Sequence, residues 1–158
     1  MADQRTLPFS GVKVVDFGMF WAGPYAGMFL GANGADVVKV ESAGRPDSFR
    51  FINVVPEGER WYETSSLFQW TNMNKRALTL DLGTPEGAEV ARALVREADV
   101  VIENFSPRVM EQFGLSYEVL AEENPGLVMV RMPAFGLSGP WRDYLGWASV
   151  FEQISGMA

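Results

Sequence analysis

The chain contains no cysteine and no histidine. Without cysteine there is no disulfide and no thiolate nucleophile. Without histidine there is neither Ser-His-Asp chemistry nor the commonest set of zinc ligands. Acid-base work within these residues falls to Asp, Glu, Lys or Tyr. Positive charge is scarce: 13 Lys and Arg stand against 20 Asp and Glu, for a formal net charge of -7. A protein that tracks nucleic-acid phosphates is ordinarily basic, so that class is disfavoured, whereas a few local cations suffice for a small anionic ligand. Long apolar runs are also missing, and nothing reads as a membrane span. The opening residues 1–8 are polar and lack the apolar core of a signal peptide. These absences predict a cytoplasmic protein with no metal site, no nucleic-acid partner and no membrane partner.

What is present fits a globular α/β domain. The 158 residues are 47% hydrophobic and 21% charged, enough for one domain with a real core. Strand-like and helix-like patterns alternate. The valine-rich residues 12–17 read as a buried strand, and residues 37–41 as a second. Between them, residues 22–33 form a small-residue helix. Its Gly23, Gly27 and Gly31 recur at every fourth position and share one face, where a backbone could approach closely. Gly34 ends it. Residues 42–69 are the least regular part and predict a long excursion with one short helix; an excursion of that length has a function or packs on a partner.

Residues 77–82 alternate and predict a third strand. Thr84 then caps a helix with Pro85 in its first turn and Ala91, Leu94, Val95 and Ala98 as its apolar stripe. Residues 99–105 predict a fourth strand, residues 107–113 a short helix ended by Gly114, and Ser116 the cap of another helix. Residues 127–132 predict a fifth strand and residues 147–156 a last helix. Strands joined by helices predict parallel pairing, right-handed crossovers and a doubly wound sheet.

In such a sheet ligands sit beyond the carboxyl ends of the strands. The relevant loops start at Phe17, Glu41, Asp81, Glu103 and Met132. The first runs through Gly18-Met19-Phe20-Trp21 into a helix N-terminus, where backbone N–H groups could hold an anion or a carbonyl oxygen. It lacks the G-x-G-x-x-G of dinucleotide binders, which argues against a nicotinamide cofactor. Phe20 and Trp21 fit either packing of the loop on the sheet or contact with an acyl or pantetheine chain. Lys75-Arg76 reads as a solvated pair of surface cations. A buried Glu103 needs a partner, as a structural hydrogen-bond hub or as a site residue.

Each signal is weak alone, but the ordered set is specific. Gly11-Val12-Lys13-Val14-Val15-Asp16-Phe17 is followed by Ala22-Gly23-Pro24 and by Gly31-Ala32-Asn33-Gly34-Ala35-Asp36-Val37-Val38-Lys39-Val40-Glu41. Then come Asn74-Lys75-Arg76, Thr84-Pro85-Glu86-Gly87, Ala98-Asp99-Val100-Val101-Ile102-Glu103-Asn104-Phe105 and Asn124-Pro125. Phe135-Gly136, Ser138-Gly139-Pro140 and Ser155-Gly156 complete it. From Leu7 to Ala158 the chain resembles the class III CoA-transferases, also called the CaiB/BaiF family.

The resemblance implies a Rossmann-like doubly wound parallel sheet as the N-terminal part of a large domain. It implies a protein that moves coenzyme A between an acyl-CoA and a carboxylic acid, through an aspartyl anhydride and a carboxylate-CoA thioester. In the family that aspartate and a small domain follow the segment seen here. Residues 1–158 are therefore expected to be a single segment with no catalytic residue of its own and no activity in isolation. The thioester is substrate, and no resident cofactor is implied. An interlocked homodimer is expected of the full length, with a heteromer as the alternative.

Residue by residue, the resemblance places Trp21 and Ala22 at the thioester. It places Leu80, Asp81, Leu82, Gly83, Asn104, Phe105 and Gln112 along the CoA groove, and Trp147 and Ala148 on the acyl side. Three positions that can be basic in the family are Ser42, Gly83 and Gln112 here, with Arg45, Lys75, Arg76 and Arg108 as nearby candidate substitutes. Each lost charge-assisted contact to a phosphate is worth about 1.5–3 kcal/mol. The lost cations and Ala148 also fit a non-catalytic subunit or a degenerate half. The racemase branch of the family carries His-Asp where this chain has Trp147-Ala148, which disfavours it.

Overall fold

The computed structural model describes residues 6–157. Residues 1–5 of the polar opening, and Ala158 at the end of the family resemblance, lie outside the described residues. Five strands form one all-parallel sheet: β1 (Lys13–Asp16), β2 (Asp36–Glu41), β3 (Lys75–Thr79), β4 (Val100–Glu103) and β5 (Val128–Arg131). Their spatial order is β3-β2-β1-β4-β5. From β1 the chain builds outward first to one side and then to the other, so the direction of strand addition reverses between the neighbours β1 and β4. Past the carboxyl ends of those two strands is where a doubly wound sheet opens a crevice.

One face of the sheet presents Val15, Val38 and Val101 to α3 (Pro85–Arg96) and to the segments around α4 (Val109–Gln112) and α5 (Tyr117–Glu123), with Ala91, Val95, Met110 and Leu120 in the core. The other presents Val14, Val37 and Ile102 to Ala26 and Leu30 of α1 (Ala22–Ala32). The caps expected of Thr84 and Ser116 are formed: Gly87 N donates to Thr84 Oγ1 at 3.0 Å, and Val119 N to Ser116 Oγ at 3.4 Å.

The glycine face of α1 is where the sequence places it. A Cβ on Gly23 would lie 2.7 Å from Gly18 Cα, one on Gly27 2.8 Å from Asp16 Oδ2, and one on Gly31 2.8 Å from the Asn74 carbonyl oxygen. Glycine lets α1 lie directly on the end of β1 and the start of β3.

The third strand corrects the sequence reading. It occupies Lys75–Thr79, not residues 77–82, because its ladder runs from Val37↔Lys75 to Glu41↔Thr79 and β2 ends there. Leu80 and Leu82 keep the apolar alternation by packing on the core beyond the ladder. The excursion holds more structure than one helix: two 3-10 turns, Ser48–Phe51 and Trp61–Glu63, precede α2 (Ser66–Thr71). Arg50 organises it, donating from Nε to Glu41 at 2.6 Å, pairing with Glu63 at 3.3 Å and stacking on the Phe68 ring at 3.6 Å. The last helix, α6, spans Ala148–Ile154.

Candidate active site

The loop between β1 and α1, residues 17–21, sits at the switch point, and buried polar side chains hold its backbone. Asp16 closes β1 and is fully buried. Its Oδ1 accepts from Gly18 N at 2.8 Å, and its Oδ2 pairs with Lys75 Nζ at 2.7 Å. Asn104, just past β4, accepts from Met19 N at 2.7 Å and donates to the Met19 carbonyl at 2.8 Å. Asp47 accepts from Phe20 N and from Phe49 N, each at 3.0 Å. Lys39 Nζ pairs with Asp47 at 3.1 Å and donates to the Gly18 carbonyl.

Phe20 takes φ of 61°, a left-handed conformation that a bulky side chain adopts at a cost of about 1–3 kcal/mol. The surrounding bonds hold it there. Trp21 follows as the half-exposed residue that opens α1. Its ring packs on Phe49 and Trp70, while the Phe20 ring packs on Trp147. The packing expected of Phe20 and Trp21 is thus present. Phe20 is packed in place, and Trp21 remains 48% exposed.

Lys75 departs from the surface pair that the sequence suggests. Its side chain is buried, and Nζ also donates to the Pro24 carbonyl at 2.8 Å and to Asn72 Oδ1 at 2.9 Å. Burial holds its ammonium below the usual lysine range, against the opposing pull of Asp16. Arg76 is a surface cation, joined to Asp36 at 2.6 Å. Arg108 pairs with Asp143 at 3.1 Å. Arg45 is exposed in the turn after β2, with no ion-pair partner among the described residues.

Glu103 is a hydrogen-bond hub. It accepts from Arg131 Nε and from Phe105 N, each at 2.8 Å, and Arg131 reaches on to Glu111 at 2.9 Å. Burial pushes the Glu103 carboxyl above its ordinary range, and the Arg131 and Phe105 bonds counter it.

The candidate residues from the sequence follow the carboxyl edge. Ser42 lies just past β2, its Oγ accepting from Gly44 N at 3.2 Å. Leu80, Asp81, Leu82 and Gly83 follow β3, with Gly83 N donating to Asp81 Oδ1 at 2.9 Å. Asn104 and Phe105 follow β4. Trp21 and Ala22 open α1; Trp147 and Ala148 open α6. The structure joins Asn104 to the first loop and Trp147 to Phe20. Gln112 is exposed at the end of α4, its N–H donating to the Arg108 carbonyl at 3.0 Å. Of two shallow cavities, one of about 180 Å³ lies toward the amino ends of the strands, by Lys13, Asp36 and Arg76, and one of about 360 Å³ lies in the turn from Phe135 to Trp141 that follows β5.

Sequence reasoning missed the Asp16–Lys75 and Lys39–Asp47 pairs. A signal existed: Asp16 stands between the apolar Val15 and Phe17, and Lys39 between Val38 and Val40, and a charge in a buried run demands a buried partner. They are neighbours in the β1–β2 ladder. The partners themselves, 59 and 8 residues away, are not legible from the pattern.

No helix among the described residues is long and apolar enough to cross a membrane. The family model described as CoA-transferase family III matches residues 9–158. Succinyl-CoA–D-citramalate CoA-transferase of Chloroflexus aurantiacus is 40% identical over 160 residues, 99% of this chain and 38% of that protein. The alpha and beta subunits of succinyl-CoA–L-malate CoA-transferase from the same species are each 38% identical, over 98% and 97% of this chain and 36% and 37% of their own lengths. Among solved structures, a CaiB/BaiF family protein from Brucella suis superposes with a TM-score of 0.87 at 39% identity, over 96% of this chain and 40% of that one. The chain thus spans about two-fifths of the length of the relatives it matches.

Proposed function

The chain belongs to CoA-transferase family III, and from that premise we propose that the protein of which it forms part moves coenzyme A between an acyl-CoA and a carboxylic acid. The observation that carries this reading is the family match across residues 9–158. The loop at the switch point, its backbone held by Asp16, Asn104 and Asp47, supports siting the thioester there. The nucleophile is a carboxylate outside these residues, so the work of this segment is to hold and orient the thioester.

In this reading the N–H groups opening α1, at Trp21 and Ala22, face the thioester oxygen, where the partial positive charge of the helix start favours developing negative charge. Leu80, Asp81, Leu82, Gly83, Asn104, Phe105 and Gln112 line the path of the CoA chain, and Trp147 and Ala148 flank the acyl group. Ser42 begins the turn that carries Arg45. With Lys75 and Arg76 committed to Asp16 and Asp36, Arg45 is the cation we assign to the CoA phosphates. The thioester is substrate and no resident cofactor is part of this reading; the location is cytoplasmic and the assembly a dimer.

The test incubates the complete protein, purified alone, with succinyl-CoA and a panel of dicarboxylic acids, and follows new thioesters by mass spectrometry. Transfer to at least one acid is expected, and R45A is expected to raise the KM for the acyl-CoA about tenfold or more. A protein that transfers CoA to no acid and binds no CoA refutes the proposal. A second reading, a non-catalytic subunit of a heteromer, is favoured by Ala148 and by relatives that carry alpha and beta subunit names. Transfer that appears only when a second, related chain is added supports it.

A further inference from the structure

The Lys39–Asp47 pair has no part in the chemistry above, yet it is more deeply buried than most charges in the molecule. Lys39 is 3% exposed and Asp47 0%. Neither is placed where a surface charge would be: Lys39 interrupts the apolar β2, and Asp47 begins the first 3-10 turn of the excursion. A buried pair of this kind is weak support for stability, since two hydrophobic residues of the same volume commonly serve as well. What distinguishes this pair is its remaining bonds. Asp47 uses its other oxygen on Phe20 N and Phe49 N, and Lys39 reaches the Gly18 carbonyl. Glu41, held by Arg50, accepts from Asp47 N at 3.0 Å and sets the carboxylate in place. The pair therefore grips both ends of the strained turn at Phe20.

We infer that Asp47, backed by Lys39, is a positioning residue for the CoA-transfer reaction. It holds Phe20 in the left-handed conformation, and so fixes the direction in which Trp21 and Ala22 present their N–H groups. It also couples the excursion to the loop, because the turn that carries Asp47 carries Phe49, whose ring lies 5.8 Å from that of Phe20 and 5.5 Å from that of Trp21. This inference rests on the functional reading given above. A disordered excursion would release the loop, and a loop that relaxes to negative φ at Phe20 would turn α1's first N–H groups away.

The experiment compares three variants of the complete protein: D47A, K39M/D47N and S65A. D47A removes the acceptor for Phe20 N. K39M/D47N removes both charges but keeps an oxygen in place for Phe20 N and Phe49 N, and it leaves no buried charge without a partner should D47A fail to fold. Ser65 is equally buried and binds the Phe49 and Ile52 carbonyls of the same excursion, but it does not touch the loop. S65A thus reports general loosening. Melting temperature, kcat and KM for the acyl-CoA, and amide hydrogen exchange of residues 18–22 are measured on each.

D47A is expected to lower kcat/KM at least tenfold and to speed loop exchange, whereas S65A changes kcat/KM less than twofold. K39M/D47N is expected to recover most of the loss in both readouts. If D47A, or K39M/D47N when D47A does not fold, behaves as S65A does at equal melting temperature, with the loop amides no faster, positioning is refuted and the transfer reading stands. If D47A loses activity but K39M/D47N recovers none of it while the loop stays protected, positioning is likewise overturned. An unmutated protein that neither transfers nor binds CoA overturns the functional reading first, and this inference with it.

Discussion

Replacing Gly27 by alanine should destabilise the protein, although the same change in an ordinary helix stabilises it. In the interior of a helix Ala is favoured over Gly by about 1 kcal/mol. Gly27 is buried in the middle of α1, so that gain is available. Against it, the new Cβ would stand 2.8 Å from Asp16 Oδ2 and 3.3 Å from Lys75 Cε. Neither neighbour can swing away. Asp16 is fully buried with both oxygens engaged, and Lys75 Nζ is held by three acceptors. Either α1 lifts off the sheet, an overpacking cost of about 1–3 kcal/mol, or the ion pair parts, which approaches the about 3–5 kcal/mol of a buried charge left alone. Subtracting the helix gain leaves a net loss of about 0–2 kcal/mol by the first route and about 2–4 kcal/mol by the second. Urea denaturation of the complete protein measures it, with G44A as control, since a Cβ at Gly44 meets only Ser42 Oγ at 3.7 Å. G44A should be neutral or slightly stabilising. A G27A protein more stable than the unmutated one by the full helix gain of about 1 kcal/mol would refute the close approach of α1 to the Asp16–Lys75 pair.

Three further outcomes follow from the same geometry. K75M, which leaves Asp16 buried without its cation, should cost about 3–5 kcal/mol, whereas R76A next to it, in a pair that is 67% and 51% exposed, should cost less than about 1 kcal/mol; denaturation curves of equal midpoint would contradict the difference. Glu103 has a folded pKa raised by burial, so its contribution is fully present below the unfolded value near 4.5 and is lost as pH rises through the folded value. The stability of the unmutated protein relative to E103Q should therefore grow as pH falls from neutral into that window, by at most about 1.4 kcal/mol per pH unit, and a difference that shrinks on acidification would sink this account. The 158-residue chain on its own should self-associate, because Trp141, Tyr144, Leu145 and Trp147 are 52–71% exposed along one stretch; a monomer by sedimentation that melts cooperatively would contradict it.

The parallel sheet and its reversal were legible because valine runs and capped helices repeat in the sequence with clear punctuation. The glycine face of α1 was legible for a similar reason: a four-residue spacing has one geometric meaning on a helix. The boundaries of β3 were not, because Leu78, Leu80 and Leu82 carry the same alternation into the core whether or not a ladder accompanies them. The buried Lys75 was not legible either. Adjacent Lys and Arg look alike in a string, and only the opposite faces of a strand send one to Asp16 and the other to Asp36. The excursion showed its aromatic content, but the hub at Arg50 depends on Glu41, Glu63 and Phe68 meeting in space. For the candidate site, the strand-end positions were legible, as was the oddity of Asp16 and Lys39 among buried apolar residues, whereas their partners Lys75 and Asp47 emerged only from packing.

The central claim is that the carboxyl edge around the switch point receives the CoA thioester. Amide hydrogen exchange of the complete protein, with and without saturating CoA, tests it most directly. The account predicts slowed exchange in residues 18–23, 42–45, 80–83 and 104–105. Slowing confined to the amino-terminal cavity beside Lys13 and Arg76, or no slowing at all with CoA bound, would contradict it.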